Sequence, residues 1–130
     1  MLWMPTTCIG QGSQFHNEFG CYCDGVSPAT SKMPNDWTDR AIESYGEGCP
    51  GVVAVVPEEN DLALAKLSAW RDKDQAWLRD GVRAGVLSLQ QMASRLDRMP
   101  EPNVEGNPPP SDTLRGRLAV LARLANIELP

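Results

Sequence analysis

The residue types able to do chemistry gather in two stretches of this 130-residue chain. The first runs from Gly12 to Asp24 and holds Ser13, His16, Glu18, Cys21 and Cys23. The second holds Asp61, Lys66, Arg71, Lys73 and Asp74. His16-Asn17-Glu18 has the His-x-Glu order of a zinc deaminase site, but that chemistry also needs Pro-Cys-x-x-Cys. Here Cys49-Pro50 stands in the reverse order, with no second cysteine following. His16, Cys21, Cys23 and Cys49 are the right ligand types for zinc, yet they lack the usual Cys-x₂₋₄-Cys knuckle. The four cysteines, Cys8, Cys21, Cys23 and Cys49, read as reduced cytoplasmic thiols packed in a core. Cys21 and Cys23 would face the same side of a strand, a poor geometry for a disulfide.

These residues need elements to hold them. Residues 10–20 are polar and Gly-rich and read as loop. Cys21–Val26 is a short strand candidate, closed by Ser27-Pro28. Residues 28–40 read as an irregular crossing anchored by Trp37. Arg40–Tyr45 is weakly strand-like and Gly46–Gly51 forms a turn. Val52–Val56 is continuously apolar, which predicts a central strand buried on both faces. Beyond it the pattern becomes helical. Asn60 is a good N-cap for a helix to about Trp70, with Leu62, Ala65 and Ala69 on one face. Asp72 or Asp74 can cap a second helix through Arg83, with Leu78 and Val82 one turn apart and Gly85 as its stop. Ser88 caps a third helix reaching Met99. Residues 100–110 hold five prolines and read as a linker.

A last helix starts at Ser111 or Asp112. Its first stripe is Leu114, Leu118, Leu121 and Ala125, and its second is Val120, Leu124 and Ile127. Gly116 costs this helix about 1 kcal/mol against alanine. A helix so apolar must dock, on the same domain or on a second subunit. Trp70 and Trp77 are seven apart and would share a face if one helix ran through them. Aromatics at that spacing are usually core, the other use being a partner-binding anchor. The expected class is α+β: a small two- or three-stranded sheet packed by three or four helices. The expected organisation is a domain over residues 1–99, a Pro-rich linker over 100–110 and the docking helix over 111–130.

Charge narrows the function. The net charge is −5, with two basic and eight acidic side chains in residues 1–60 and seven basic and five acidic in 61–100. The acidic first half argues against a nucleic-acid binder, which needs a broad cationic face. No stretch approaches the roughly 20 apolar residues of a membrane span. Met1-Leu2-Trp3-Met4 is too short for a signal peptide and has no basic region before it. A cytoplasmic protein is expected.

Several runs in one order carry a family resemblance. Gly10-Gln11-Gly12-Ser13-Gln14-Phe15-His16 precedes Phe19-Gly20-Cys21-Tyr22-Cys23-Asp24-Gly25-Val26. Then come Met33-Pro34-Asn35-Asp36-Trp37-Thr38-Asp39-Arg40, Asp61-Leu62-Ala63-Leu64-Ala65-Lys66-Leu67 and Arg71-Asp72-Lys73-Asp74. From about Ile9 to Leu96 this resembles an uncharacterised prokaryotic nucleotidyltransferase-like family, related to minimal nucleotidyltransferases and abortive-infection toxins. The family pattern has a tyrosine at Cys21, glycine at Asp36, histidine at Asn60 and glycine at Trp70.

In that family a Gly-Ser turn and two metal-binding carboxylates, as Asp-x-Asp, lie upstream. The resemblance therefore implies a truncated domain without the catalytic segment and no working transferase in this chain alone. Gly12-Ser13 with Asp24 mimics the motif spacing, but Val26 stands where the second aspartate belongs, and a turn aspartate beside Gly25 is the better reading. The resemblance places Asp61, Lys66, Arg71, Lys73 and Asp74 beside a nucleotide site. There a lysine would neutralise phosphate charge and Arg71 would hold phosphate in a fork. The competing reading is structural: Asp61 favours a helix N-terminus, Asp74 opens the next helix, and Arg71 pairs locally.

Two functions follow. One is a non-catalytic interaction or regulatory module without a cofactor, assembling as a homo-oligomer such as a dimer or with a separately encoded catalytic half. Leu118, Leu121, Leu124, Trp70 and Trp77 are its candidate interface. The other is a small Mg-nucleotide-binding protein or nucleotidyltransferase using Asp61, Lys66, Arg71 and Asp74.

Overall fold

A computed structural model describes residues 11–21, 31–48, 50–104 and 106–127. The chain divides into two compact units. One comprises residues 1–31 and 42–56, the other residues 32–41 and 57–130.

In the first unit α1 spans Gln14–Phe19. It falls in a stretch whose polarity reads as loop, so the loop expectation is corrected here. Local caps make it a helix: the Ser13 hydroxyl accepts from the His16 backbone N–H at 3.1 Å, and Gly20 ends it in the left-handed conformation. Strands β1 (Ile42–Tyr45) and β2 (Val53–Val56) form an antiparallel ribbon. Ile42 stands opposite Val56 and Tyr45 opposite Val53. Every residue of both strands is exposed. The expectation that Val52–Val56 is buried on both faces is therefore overturned. A central strand needs a partner on each edge and a layer on each face. Among the described residues β2 has one partner strand and no covering layer. The Cys21–Val26 strand candidate lies almost wholly outside the described residues. Cys21 itself is exposed, outside any strand, with a free thiol.

The second unit is helical: α2 (Trp37–Arg40), α3 (Glu59–Ala69), α4 (Asp72–Arg83), α5 (Leu89–Ser94), a 3₁₀ turn (Leu96–Arg98) and α6 (Ser111–Ala125). With two strands and six α-helices among the described residues, the chain is α+β, as expected. Ser88 caps α5 as anticipated, its hydroxyl accepting from the Gln91 backbone N–H. Gly85 follows α4 with a φ of +77°, a conformation that glycine adopts without a Cβ penalty. Leu78 and Val82 are both buried, as their spacing implied.

Helix α3 departs from expectation in two ways. Its N-cap is Glu58, whose carboxylate accepts from the Asp61 backbone N–H at 3.2 Å. Its buried face is also different. Leu62 and Ala65 are half-buried and Ala69 is exposed, while Asn60, Asp61, Ala63, Leu64, Leu67 and Ser68 are buried. The inward stripe opens with polar residues, so a search for an apolar face selects the wrong side. Trp70 closes α3 in the left-handed conformation, with φ of +53°. No single helix runs through Trp70 and Trp77.

The core gathers Leu64, Leu67, Leu78, Met92 and Leu96 with Leu114, Leu118 and Leu121 of α6. Burying those three α6 leucines contributes about 5–9 kcal/mol by apolar transfer, so α6 is integral to the core of its own chain. Of its second stripe, Val120 is half-buried, while Leu124 and Ile127 are 41% and 42% exposed.

Candidate functional site

The polar opening of α3 explains its own burial. Asp61 has no exposed surface, and its carboxylate lies among guanidinium groups. Arg40, the last residue of α2, donates from Nε to Oδ2 at 2.8 Å and from Nη2 to Oδ1 at 2.9 Å. Arg95, at the C-terminal cap of α5, donates from Nη1 to Oδ1 at 3.0 Å. Arg95 also pairs with Glu58 and donates from Nη2 to the Gln91 side chain at 3.1 Å. Arg40 forks a second time onto Asp36, at 2.9 and 3.0 Å. Arg98 reaches the same carboxylate at 3.1 Å. Three carboxylates therefore meet three guanidiniums, the balance that buried charge requires.

Asn60 extends the network to the backbone. Its side chain accepts from the Ser88 N–H at 2.8 Å and donates to Glu58 and Gln91. This fixes the start of α5 against the start of α3. Among the described residues no buried side-chain polar atom lacks a partner.

The charges set the acidities. Hydrogen bonds from Arg40 hold the Asp36 carboxyl well below the usual carboxylate range, and in return Asp36 and Asp61 raise the Arg40 guanidinium further above its ordinary value. Burial pushes the Glu58 carboxyl up, but hydrogen bonds from Arg95 and Asn60 outweigh it and leave the acid stronger than usual.

A second cluster lies at the α3–α4 corner. Asp74, 1% exposed, sits in the first turn of α4. It accepts from the Arg71 backbone N–H at 3.2 Å and from Arg71 Nε at 2.7 Å. Lys66 of α3 places Nζ 3.6 Å from Asp74 and 4.9 Å from the centre of the Trp77 ring. Burial raises the Asp74 pKa, yet the Arg71 hydrogen bonds dominate and hold it below the ordinary value.

The five candidate ligand residues thus divide. Asp61 belongs to the arginine network; Lys66, Arg71 and Asp74 form the corner; Lys73 is exposed on α4 with no ion-pair partner among the described residues. Of the candidate interface residues, Leu118 and Leu121 are buried in the core of their own chain, Trp70 packs partly against it, and Trp77 and Leu124 are exposed. Sequence reasoning missed Arg40, Arg95 and Glu58 as partners of Asp61. The only signal was an unusual acid inside an apolar helix run.

A family model described as a nucleotidyltransferase of unknown function (DUF6036) matches residues 13–104. The chain belongs to this family. No curated protein and no solved structure matches it. The match takes in both clusters of this nucleotidyltransferase-like chain, while α6 lies C-terminal to it.

In a nucleotidyltransferase grouped carboxylates would hold Mg²⁺, which would supply charge neutralisation for the phosphate oxygens. Asp61 and Asp74 do not fit that role in this geometry. Both already accept from cationic side chains, and they stand in separate networks. Among the described residues no group of three or more His, Cys, Asp or Glu side chains is placed to hold a metal ion. None of their helices is long and apolar enough to cross a membrane.

Proposed function

We propose that this nucleotidyltransferase-like chain works as a non-catalytic interaction or regulatory module. The supporting observation is the state of Asp61: it is fully buried, and its two carboxylate oxygens accept from two arginines of a charge-balanced network. Such a carboxylate holds α2, α3 and α5 together and has no oxygen left aimed at a ligand. The partner on this reading is a protein, either a second copy or a catalytic chain, in the cytoplasm. Exposed apolar side chains on the β1–β2 ribbon suit such a partner: Ile42, Tyr45, Val53, Val55 and Val56.

The second reading, a nucleotide-binding protein, draws support from the corner alone. Lys66 and Arg71 converge on one carboxylate beside an aromatic face, and Arg71 is 61% exposed at its side chain. Titration with ATP and Mg²⁺, followed by calorimetry and amide chemical shifts, separates the two. The module reading expects no heat and no shift change, with Lys66→Ala indistinguishable from the parent. Saturable binding abolished by Lys66→Ala would overturn it in favour of the corner.

A further inference from the structure

Trp70 occupies a backbone conformation that a tryptophan seldom takes. Its φ of +53° ends α3 and turns the chain into α4. For a side chain with a Cβ this region is strained, so something nearby must offset it. Gln75 Nε2 donates to the Trp70 carbonyl at 3.1 Å. The larger support comes from α6. Arg117 Nη1 donates to the Leu67 and Ser68 carbonyls at 2.9 and 2.8 Å. Its guanidinium carbon also lies 5.7 Å from the centre of the Trp70 ring.

Arg117 has no ion-pair partner among the described residues. Its charge rests on the carbonyl end of α3, the negative end of the helix dipole, and on an indole face. Burial pushes its guanidinium pKa down, the cost of holding a cation there without an acid. Lys66 lies on the same last turn of α3, and Trp70 N–H donates to its carbonyl at 2.8 Å. The backbone that Arg117 grips is therefore the backbone that carries Lys66 to Asp74 and Trp77.

We propose that α6 is a strap across the α3–α4 corner, with Arg117 as its catch, so that the Lys66–Asp74–Trp77 arrangement depends on whether the catch is closed. Arg117 touches none of those three side chains in any hydrogen bond or ring contact of the structure; it is a positioning residue acting through Trp70 and the end of α3. The strap lies outside the family-matched residues and acts on a cluster within them.

The test uses the full chain with Arg117→Met, which keeps an apolar stem, and Arg117→Lys, which keeps the cation. Two-dimensional NMR follows the Trp77 indole N–H and the Lys66 side-chain signals, which the Trp77 ring shifts. Arg117→Met is expected to move both toward free-side-chain positions, and Arg117→Lys to restore most of the displacement. A urea cycle with Trp70→Gly supplies an independent reading. The effect of Arg117→Met on the folding constant should shrink by about two- to fivefold when residue 70 is already glycine, the share owed to the ring contact. Unmoved Lys66 and Trp77 signals in Arg117→Met, or additive effects in the cycle, would overturn the proposal. If Arg117→Met does not fold, Trp70→Gly decides alone: no displacement of the Lys66 and Trp77 signals in that variant is the negative result.

Discussion

Arg40 reaches 21 residues along the chain to fork onto Asp61, at 2.8 and 2.9 Å, while its other edge forks onto Asp36. One planar guanidinium thus joins α2 to α3, a geometry that lysine cannot reproduce. Removing one partner of a buried pair leaves the other charged and unpaired. Asp61→Ala should therefore cost about 3–5 kcal/mol, measured as a drop in the urea unfolding midpoint. Arg98 holds the outer, more exposed side of Asp36. Arg98→Ala should change stability by less than about 1 kcal/mol. A mild Asp61→Ala beside a severe Arg98→Ala would mean that the network is assembled differently.

Acid should dismantle the same network. Glu58 and Asp74 both have folded pKa values below their ordinary ones, because Arg95 and Arg71 favour the ionised forms. The unfolded chain then binds more protons than the folded chain as the pH falls through the carboxylate range, so stability declines with it. The contribution is fully present above about pH 5 and is lost progressively below the ordinary carboxylate values. Urea unfolding at a series of pH values should show a flat region near neutrality and a falling acid limb. Glu58→Gln should make that limb shallower, and an unchanged slope would contradict the role given to Arg95.

The sequence carried the helical half of this fold well, and the reasons are local. Ser88 announces α5 through its hydroxyl, Gly85 marks the end of α4, and Leu114, Leu118, Leu121 and Ala125 lie on one buried stripe. Each signal acts within a few residues, where spacing determines geometry. One failure is local, since Ser13 and Gly20 cap α1 in a stretch whose polarity reads as loop; the others depend on distant partners. Asn60 looks like a cap because its amide can serve a neighbouring N–H, yet it spends that amide on Ser88 and Gln91. Asp61 looks exposed until Arg40 and Arg95 arrive from other elements. Val53–Val56 has the apolarity of a buried strand, but burial depends on layers that its own residues cannot specify. For the candidate site, the family resemblance singled out Lys66, Arg71 and Asp74, which lie within one helical hairpin and meet at the α3–α4 corner. Residue types and spacing could not find the arginine network, which joins α2, α3, α5 and the 3₁₀ turn.

The two stripes of α6 should respond differently to truncation. Leu121 is fully buried, so Leu121→Ala removes packed methyl groups and leaves a cavity, at about 2–5 kcal/mol. Leu124 is 41% exposed, and Leu124→Ser should stay within about 1 kcal/mol in the isolated monomer. Thermal unfolding over a range of protein concentrations also makes this a test of association. If the outer stripe meets a second copy, Leu124→Ser will lower the midpoint only at the higher concentrations. A concentration-independent loss as large as that of Leu121→Ala would instead place Leu124 in the core.

Two glycines inside helices should give opposite answers to the same substitution. Replacing an interior helical glycine by alanine gains about 1 kcal/mol when the new methyl group has room. At Gly116 of α6 a Cβ would meet nothing within 4 Å, so Gly116→Ala should stabilise the protein by about that amount. At Gly81 of α4 a Cβ would lie 2.6 Å from Leu87 Cδ1 and 2.8 Å from Leu87 Cγ. Leu87 is buried against the core and its backbone N–H donates to the Gly81 carbonyl at 3.1 Å, so it cannot swing away without disturbing that turn. Overpacking of this kind costs about 1–3 kcal/mol, which cancels or exceeds the propensity gain. Gly81→Ala should therefore be neutral to destabilising where Gly116→Ala raises the unfolding midpoint. Equal stabilisation by both substitutions would mean that the α4 C-terminal turn is looser than the Gly81–Leu87 contact requires.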